Sequence, residues 1–165
     1  MRILGLDPGT ATVGYGIIDE LEGQVGVVGY GVIRTEPKDG DTARRLQIIF
    51  ERLIDLLNQY RPDAAAVEEL FFGRNITTAI SVGQARGVLL LALANAGIPI
   101  AEYSPPKIKE AVSGYGNASK EQVQYMVQNL LGLEEMPRPD DAADGLAVAL
   151  THFQHRRYEM LSNNE

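Results

Sequence analysis

Four carboxylates sit where short apolar runs end or begin. Asp7 closes Arg2-Ile3-Leu4-Gly5-Leu6, Glu68 closes Ala64-Ala65-Ala66-Val67, and Asp141 and Asp144 open the last long apolar stretch. Gathered in one place, four such groups repel and raise one another's pKa unless cations neutralise them. Oxygen-only clusters suit hard divalent ions, which keep waters and leave positions for a substrate phosphate. Two such ions about 3.5–4 Å apart can flank an in-line phosphodiester displacement. No cysteine occurs, and the only histidines are His152 and His155, so thiolate and upstream imidazole chemistry is excluded.

The elements that must position these groups are legible from pattern. Residues 2–7 read as a buried strand stopped by the turn dipeptide Pro8-Gly9. Residues 13–19 and 24–34 follow too closely for parallel crossovers, so an antiparallel meander is expected. Asp41-Thr42 caps a helix to about Tyr60, with Leu46, Ile49, Phe50, Leu53, Leu56 and Leu57 on one face. Residues 63–69 form a fourth strand and 98–103 a fifth. Between them runs an apolar helix, 76–96, closed by Gly97. Ser104-Pro105 starts a short helix that Gly114 and Gly116 break. Ser119 caps another helix to Leu131, and Asp140 caps the last, to about Tyr158. This order predicts an α/β fold, a mixed sheet with helices on its faces. A single domain over residues 1–158 is expected, with a polar tail over 159–165 that frays.

Composition narrows the class. The 165 residues are 45% hydrophobic and 22% charged, enough to bury a core. The opening residues lack a signal-peptide pattern, and the apolar run Gly87–Ala94 falls short of the ~20 residues of a membrane span. A compact cytoplasmic protein with no membrane partner is therefore expected. Net charge is −7, but its distribution is uneven: −5 over residues 1–70, +3 over 71–120 and −5 over 121–165. One basic segment in an acidic chain fits an anionic ligand held at one place, and it fits ordinary surface variation too.

Each acid also has a structural explanation. Aspartates in a first helical turn are favoured by the helix dipole, which covers Asp140, Asp141 and Asp144. Asp7 before Pro-Gly is a normal turn residue. Glu68, ending an Ala-Val strand, has few structural duties.

The residues together resemble the RuvC-type Holliday-junction resolvases. The match is carried by Ile3–Thr10 with Gly14-Tyr15-Gly16, by Ala66–Phe71, by Gly83-Gln84-Ala85-Arg86-Gly87-Val88 and by Asp141–Ala147. Further similarity runs through Pro106–Lys109 and Ser119–Gln124, and nothing is carried past Thr151. The resemblance implies a ribonuclease-H-like fold, a five-stranded mixed sheet flanked by α-helices. It implies an Mg²⁺-dependent endonuclease that nicks two strands of like polarity in four-way junction DNA, leaving 5′-phosphate and 3′-hydroxyl ends. Asp7, Glu68, Asp141 and Asp144 match its catalytic metal-binding acids, holding two Mg²⁺, with Mn²⁺ an alternative the oxygen ligands do not exclude. A homodimer is implied, and the resemblance admits the branch-migration proteins RuvA and RuvB as partners. Glu69 is expected to support Glu68.

The DNA contacts follow the same way. Phe71 and Phe72 cannot both face one core from an extended segment. Either one is exposed, where a ring stacks on unpaired bases, or an irregular loop buries both. The resemblance places a base-stacking phenylalanine at Phe71. Arg74, Lys107, Lys109 and Lys120 are candidate phosphate contacts, and the match extends to Lys109 and Lys120. The apolar helix 76–96 must be buried on more than one side, inside the monomer or against a second copy. Gln84 and Arg86 suit either such an interface or local pairing. His152 and His155 lack a third ligand. Two competing classes are a catalytically silent junction-binding module and an actin-like phosphotransferase, for whose two-lobed cleft the chain is short.

Overall fold

The computed structural model describes residues 1–70 and 75–162. Phe71 and Arg74 lie outside the described residues. Strands β1 (Arg2–Asp7), β2 (Thr12–Leu21) and β3 (Gln24–Arg34) form the expected meander. Helix α1 (Thr42–Tyr60) leads to β4 (Ala64–Glu68), and α2 (Ile76–Asn95) leads to β5 (Ile100–Tyr103). Helices α3 (Pro105–Ser113), α4 (Lys120–Leu130) and α5 (Asp140–Ser162) complete the chain. The sheet order is β3-β2-β1-β4-β5, with β1 parallel to β4 and β4 parallel to β5.

Alternation along the strands sorts the interior into two layers. Leu4, Leu6, Ala65 and Val67 pack with Leu53 and Leu57 of α1 and Leu89 and Leu93 of α2. Ile3 and Ala66 face the other way, into a layer closed by α3, α4 and α5. Asp7 and Glu68 come one position after Leu6 and Val67. Both carboxylates therefore belong to the α5 face. That parity is what aims the candidate site.

Helix α1 begins as expected, with Asp41 accepting from the Arg44 N–H at 2.9 Å. Ser104 stands at the α3 N-cap in extended conformation, but its side chain makes no capping bond; Pro105 and Pro106 occupy the first turn instead. Asp140 does not cap α5. It is the first helical residue, and its carboxylate pairs with Arg138 at 2.9 Å, while the Ala142 N–H donates to the Pro139 carbonyl. Helix α5 also continues to Ser162, beyond the expected end near Tyr158.

By length and composition α2 is apolar enough to cross a membrane, which the shorter run Gly87–Ala94 did not suggest. Here it is a layer of the fold. Ala85, Leu89, Ala92 and Leu93 are buried, while Ile80 and Leu91 on its outer side are 59% and 56% exposed.

Helix α5 lies unusually close to the sheet. A Cβ on Gly145 would stand 2.5 Å from the Tyr15 carbonyl carbon, and one on Gly14 would overlap the Asp141 carbonyl oxygen. Without those two side chains missing, the start of α5 would stand further from the end of β1.

Candidate active site

The parallel register Leu6↔Val67 places Asp7 and Glu68 side by side at the ends of adjacent strands. Gly14 pairs with Asp7 on β2, and the α5 backbone at Asp141 rests on Gly14. The first turns of α5 thus deliver Asp141 and Asp144 to the same end of the sheet, three residues apart on one helical face. One carboxylate oxygen each from Asp7, Asp141 and Asp144 lie within 4.8 Å of one another, all three groups half-buried. Glu68 is not one of those three; it stands beside Asp7 and lines the same cleft as Asp7 and Asp144.

The electrostatics record the crowding. Burial, then the hydrogen bond and charge of Glu68, then Asp141 push Asp7 up to about 9, against a smaller opposing pull from Lys120. Burial and the Asp7 charge raise Asp144 to about 6, again opposed by Lys120. At neutral pH Asp7 holds a proton. Without a cation, the cluster neutralises itself that way.

The Lys120 ammonium lies 3.2 Å from the Asp144 carboxylate. Burial alone would lower its pKa, yet Asp144, Asp140 and Asp141 outweigh burial and raise it. Lys120 is the first residue of α4, which is fixed by a reciprocal cap: Ser119 Oγ accepts from the Gln122 N–H at 3.2 Å, and Gln122 Oε1 accepts from the Ser119 N–H at 2.8 Å. Lys109 and Lys120 line a cleft of about 250 Å³ together with Asp7, Glu68 and Asp144. A second cleft of about 440 Å³ opens on the other side of Asp7 and Glu68, lined by Glu69, Leu70, Asn75, Thr78, Val82 and Pro105. Lys107 is exposed on α3 and lines neither cleft.

Of the second cleft's walls, Glu69 was expected from the sequence, while Asn75, Thr78 and Val82 were not. Asn75 reads as a helix cap, and it does accept from the Thr78 N–H at 3.2 Å. Nothing in its neighbourhood announced a cleft wall. Arg86 points inward, pairing with Glu102 and donating to the Glu68 carbonyl at 3.3 Å, so local pairing describes it. His152 Nδ1 lies 2.9 Å from the Tyr103 hydroxyl, and the His155 ring packs 5.1 Å from the Tyr103 ring. Among the described residues no histidine joins a metal-competent group.

A mixed five-stranded sheet with carboxylates gathered at the ends of its central parallel pair defines a ribonuclease-H-like fold with an oxygen-donor metal site. Comparison with known proteins makes the class specific. The model of the crossover junction endodeoxyribonuclease RuvC family matches residues 3–152. A crossover junction endodeoxyribonuclease RuvC of Moorella thermoacetica is 57% identical over 152 residues, 92% of this chain and 90% of its own. The structure of Thermus thermophilus RuvC superposes with a TM-score of 0.88 at 40% identity, covering 96% of this chain and 97% of that one. A structure of the T. thermophilus protein in complex with a Holliday junction substrate gives 0.90 at 39% identity, covering 96% of each chain. This chain belongs to the RuvC family of crossover junction endodeoxyribonucleases, metal-dependent nucleases.

Proposed function

We propose that this chain resolves four-way DNA junctions in the cytoplasm, nicking two strands of like polarity and leaving 5′-phosphate and 3′-hydroxyl ends. One observation supports the reading: carboxylate oxygens of Asp7, Asp141 and Asp144 lie within 4.8 Å of one another, with Glu68, Lys109 and Lys120 lining the adjoining cleft, in a chain of this family. The donors fit Mg²⁺, being oxygen throughout, and the proton forced onto Asp7 marks a deficit of positive charge. Asp7, Glu68, Asp141 and Asp144 would hold two Mg²⁺, with Mn²⁺ the alternative; bound there, the metal supplies Lewis acidity for phosphodiester hydrolysis.

The chain's own groups do the rest. Lys120 is tethered to Asp144 and Lys109 lines the same cleft, so both ammonium groups stand ready for non-bridging phosphate oxygens. The carboxylates repel a phosphate until they are neutralised, which makes substrate charge and metal charge enter together. Phe71 stacks on an unpaired base at the crossover, and Arg74 and Lys107 hold phosphates.

A junction presents two equivalent cuts, and a two-fold dimer presents two equivalent sites. The outer side of α2, with Ile80, Gly87 and Leu91 exposed at helical spacing, supports that helix as the dimer surface. The test is incision mapping on a synthetic mobile junction and on linear duplex, with and without Mg²⁺. Paired nicks at symmetric positions, in the junction alone and only with metal, are expected. Binding without any nicking would leave a silent junction-binding module.

A further inference from the structure

We propose that Arg86 is a positioning residue for Glu68, working through the backbone of β4 and never touching substrate. The proposal rests on the metal-site reading above and deepens it.

Glu68 is the last residue of β4, and the orientation of the peptide unit that follows sets where its carboxylate points. That unit is held at both ends. The Glu69 N–H donates to the Tyr103 carbonyl at 2.8 Å, and the Glu68 carbonyl accepts from Arg86 Nε at 3.3 Å. A peptide plane pinned on both sides cannot rotate, so the backbone torsion of Glu68 is fixed. The carbonyl needs an outside donor. The N–H groups of Ala65 and Glu69 point to the β5 side, which by alternation turns Glu68 toward β1. There, past Asp7, stands Pro8, which carries no N–H. Arg86 supplies the bond that the ladder cannot.

The guanidinium is itself anchored. Its Nη2 pairs with Glu102, which is opposite Val67 in the β4–β5 register and lies on the α2 side because its neighbour Tyr103 faces α5. The Arg86 side chain is only 20% exposed. One planar fork thus ties α2, β5 and the end of β4 together behind the acid cluster, as an outer-shell group orients a metal ligand. Lysine keeps the charge but not the fork.

The experiment compares the parent chain with Arg86→Lys, Arg86→Gln and Glu102→Gln. Three quantities are read: Ca²⁺ affinity by calorimetry, junction affinity in EDTA, and the Mg²⁺ concentration that half-saturates nicking. Removing an outer-shell partner is expected to weaken Ca²⁺ binding and raise the Mg²⁺ midpoint by about tenfold or more. Junction affinity in EDTA should stay at the parent value. Saturating Mg²⁺ should restore a substantial part of the rate in Arg86→Lys, which a general loss of structure would not allow. If Arg86→Gln unfolds, Arg86→Lys and Glu102→Gln carry the comparison. Unchanged Ca²⁺ affinity and Mg²⁺ midpoint in folded variants would overturn the proposal. Absence of nicking by the parent would instead sink the junction-nuclease reading, while the Ca²⁺ titration still decides the role of Arg86.

Discussion

Asp7 carries the most perturbed charge in the described chain, and its protonation governs how the metal-free protein responds to pH. Its folded pKa, about 9, lies far above the ordinary value for an aspartate, and Asp144 is raised to about 6. In the window between those unfolded and folded values the native state binds more protons than the unfolded one. Stability then falls as pH rises. In EDTA the melting temperature is therefore expected to decline between about pH 5 and about pH 9, as differential scanning fluorimetry would record. Asp7→Asn should flatten that decline and raise the melting temperature at the alkaline end. The same variant should bring Mg²⁺-dependent nicking to background while junction binding persists, because it removes a metal ligand without adding charge to a position already neutral in the metal-free protein. Residue types and element ends made the four acids legible in the sequence. The closeness of Asp7 and Glu68 was not, since it depends on a register that joins positions 7 and 68. Nor was the clamp by Arg86, whose partners Glu68 and Glu102 stand on two different strands.

The elements owe their placement to two contrasting surfaces. Helix α5 reaches the β1 end only because Gly14 and Gly145 let its backbone touch the sheet. A methyl group at Gly14 must push the Asp141 carbonyl away. Gly14→Ala is expected to cost about 1–3 kcal/mol in chemical denaturation and to reduce nicking well beyond that loss. Helix α2 is the opposite case, with an outer apolar side that no described residue covers. Leu91→Glu should shift the chain toward monomer in sedimentation velocity without lowering its melting temperature, and should uncouple the paired nicks. Helix and strand positions followed from periodicity, β3 and the α1 cap most closely. Periodicity asked for α2 to be buried on more than one side, in the monomer or against a second copy, because composition does not say which apolar side chains have neighbours. The α5 start was displaced for a similar reason: Asp140 looks like a cap in sequence, but Arg138 claims its carboxylate.

On the scale of the whole molecule, a chain of net charge −7 must present DNA with a local exception to its own repulsion. In the proposed reading the basic middle segment provides it through Lys109 and Lys120, which share a cleft with the acids. Arg86, from the same segment, is spent inside the fold on Glu102. Replacing EDTA with Ca²⁺ should tighten junction binding in fluorescence anisotropy, since the uncompensated acids otherwise oppose the phosphates. Asp7→Asn in EDTA should leave junction affinity at the parent value at neutral pH, since Asp7 is already protonated in the metal-free cluster. The charge asymmetry was readable from the sequence, while its convergence on one cleft required the sheet order that sets β1 beside β4.

That sheet order has a further consequence for how the protein comes into being. Two of the four acids emerge early from the ribosome, and the other two arrive only with α5. A nascent chain stopped before Asp141 would own strand ends with half a ligand set and an open layer where the closing helix belongs. On the function proposed above, a chain still on the ribosome lacks a complete site until the last helix docks.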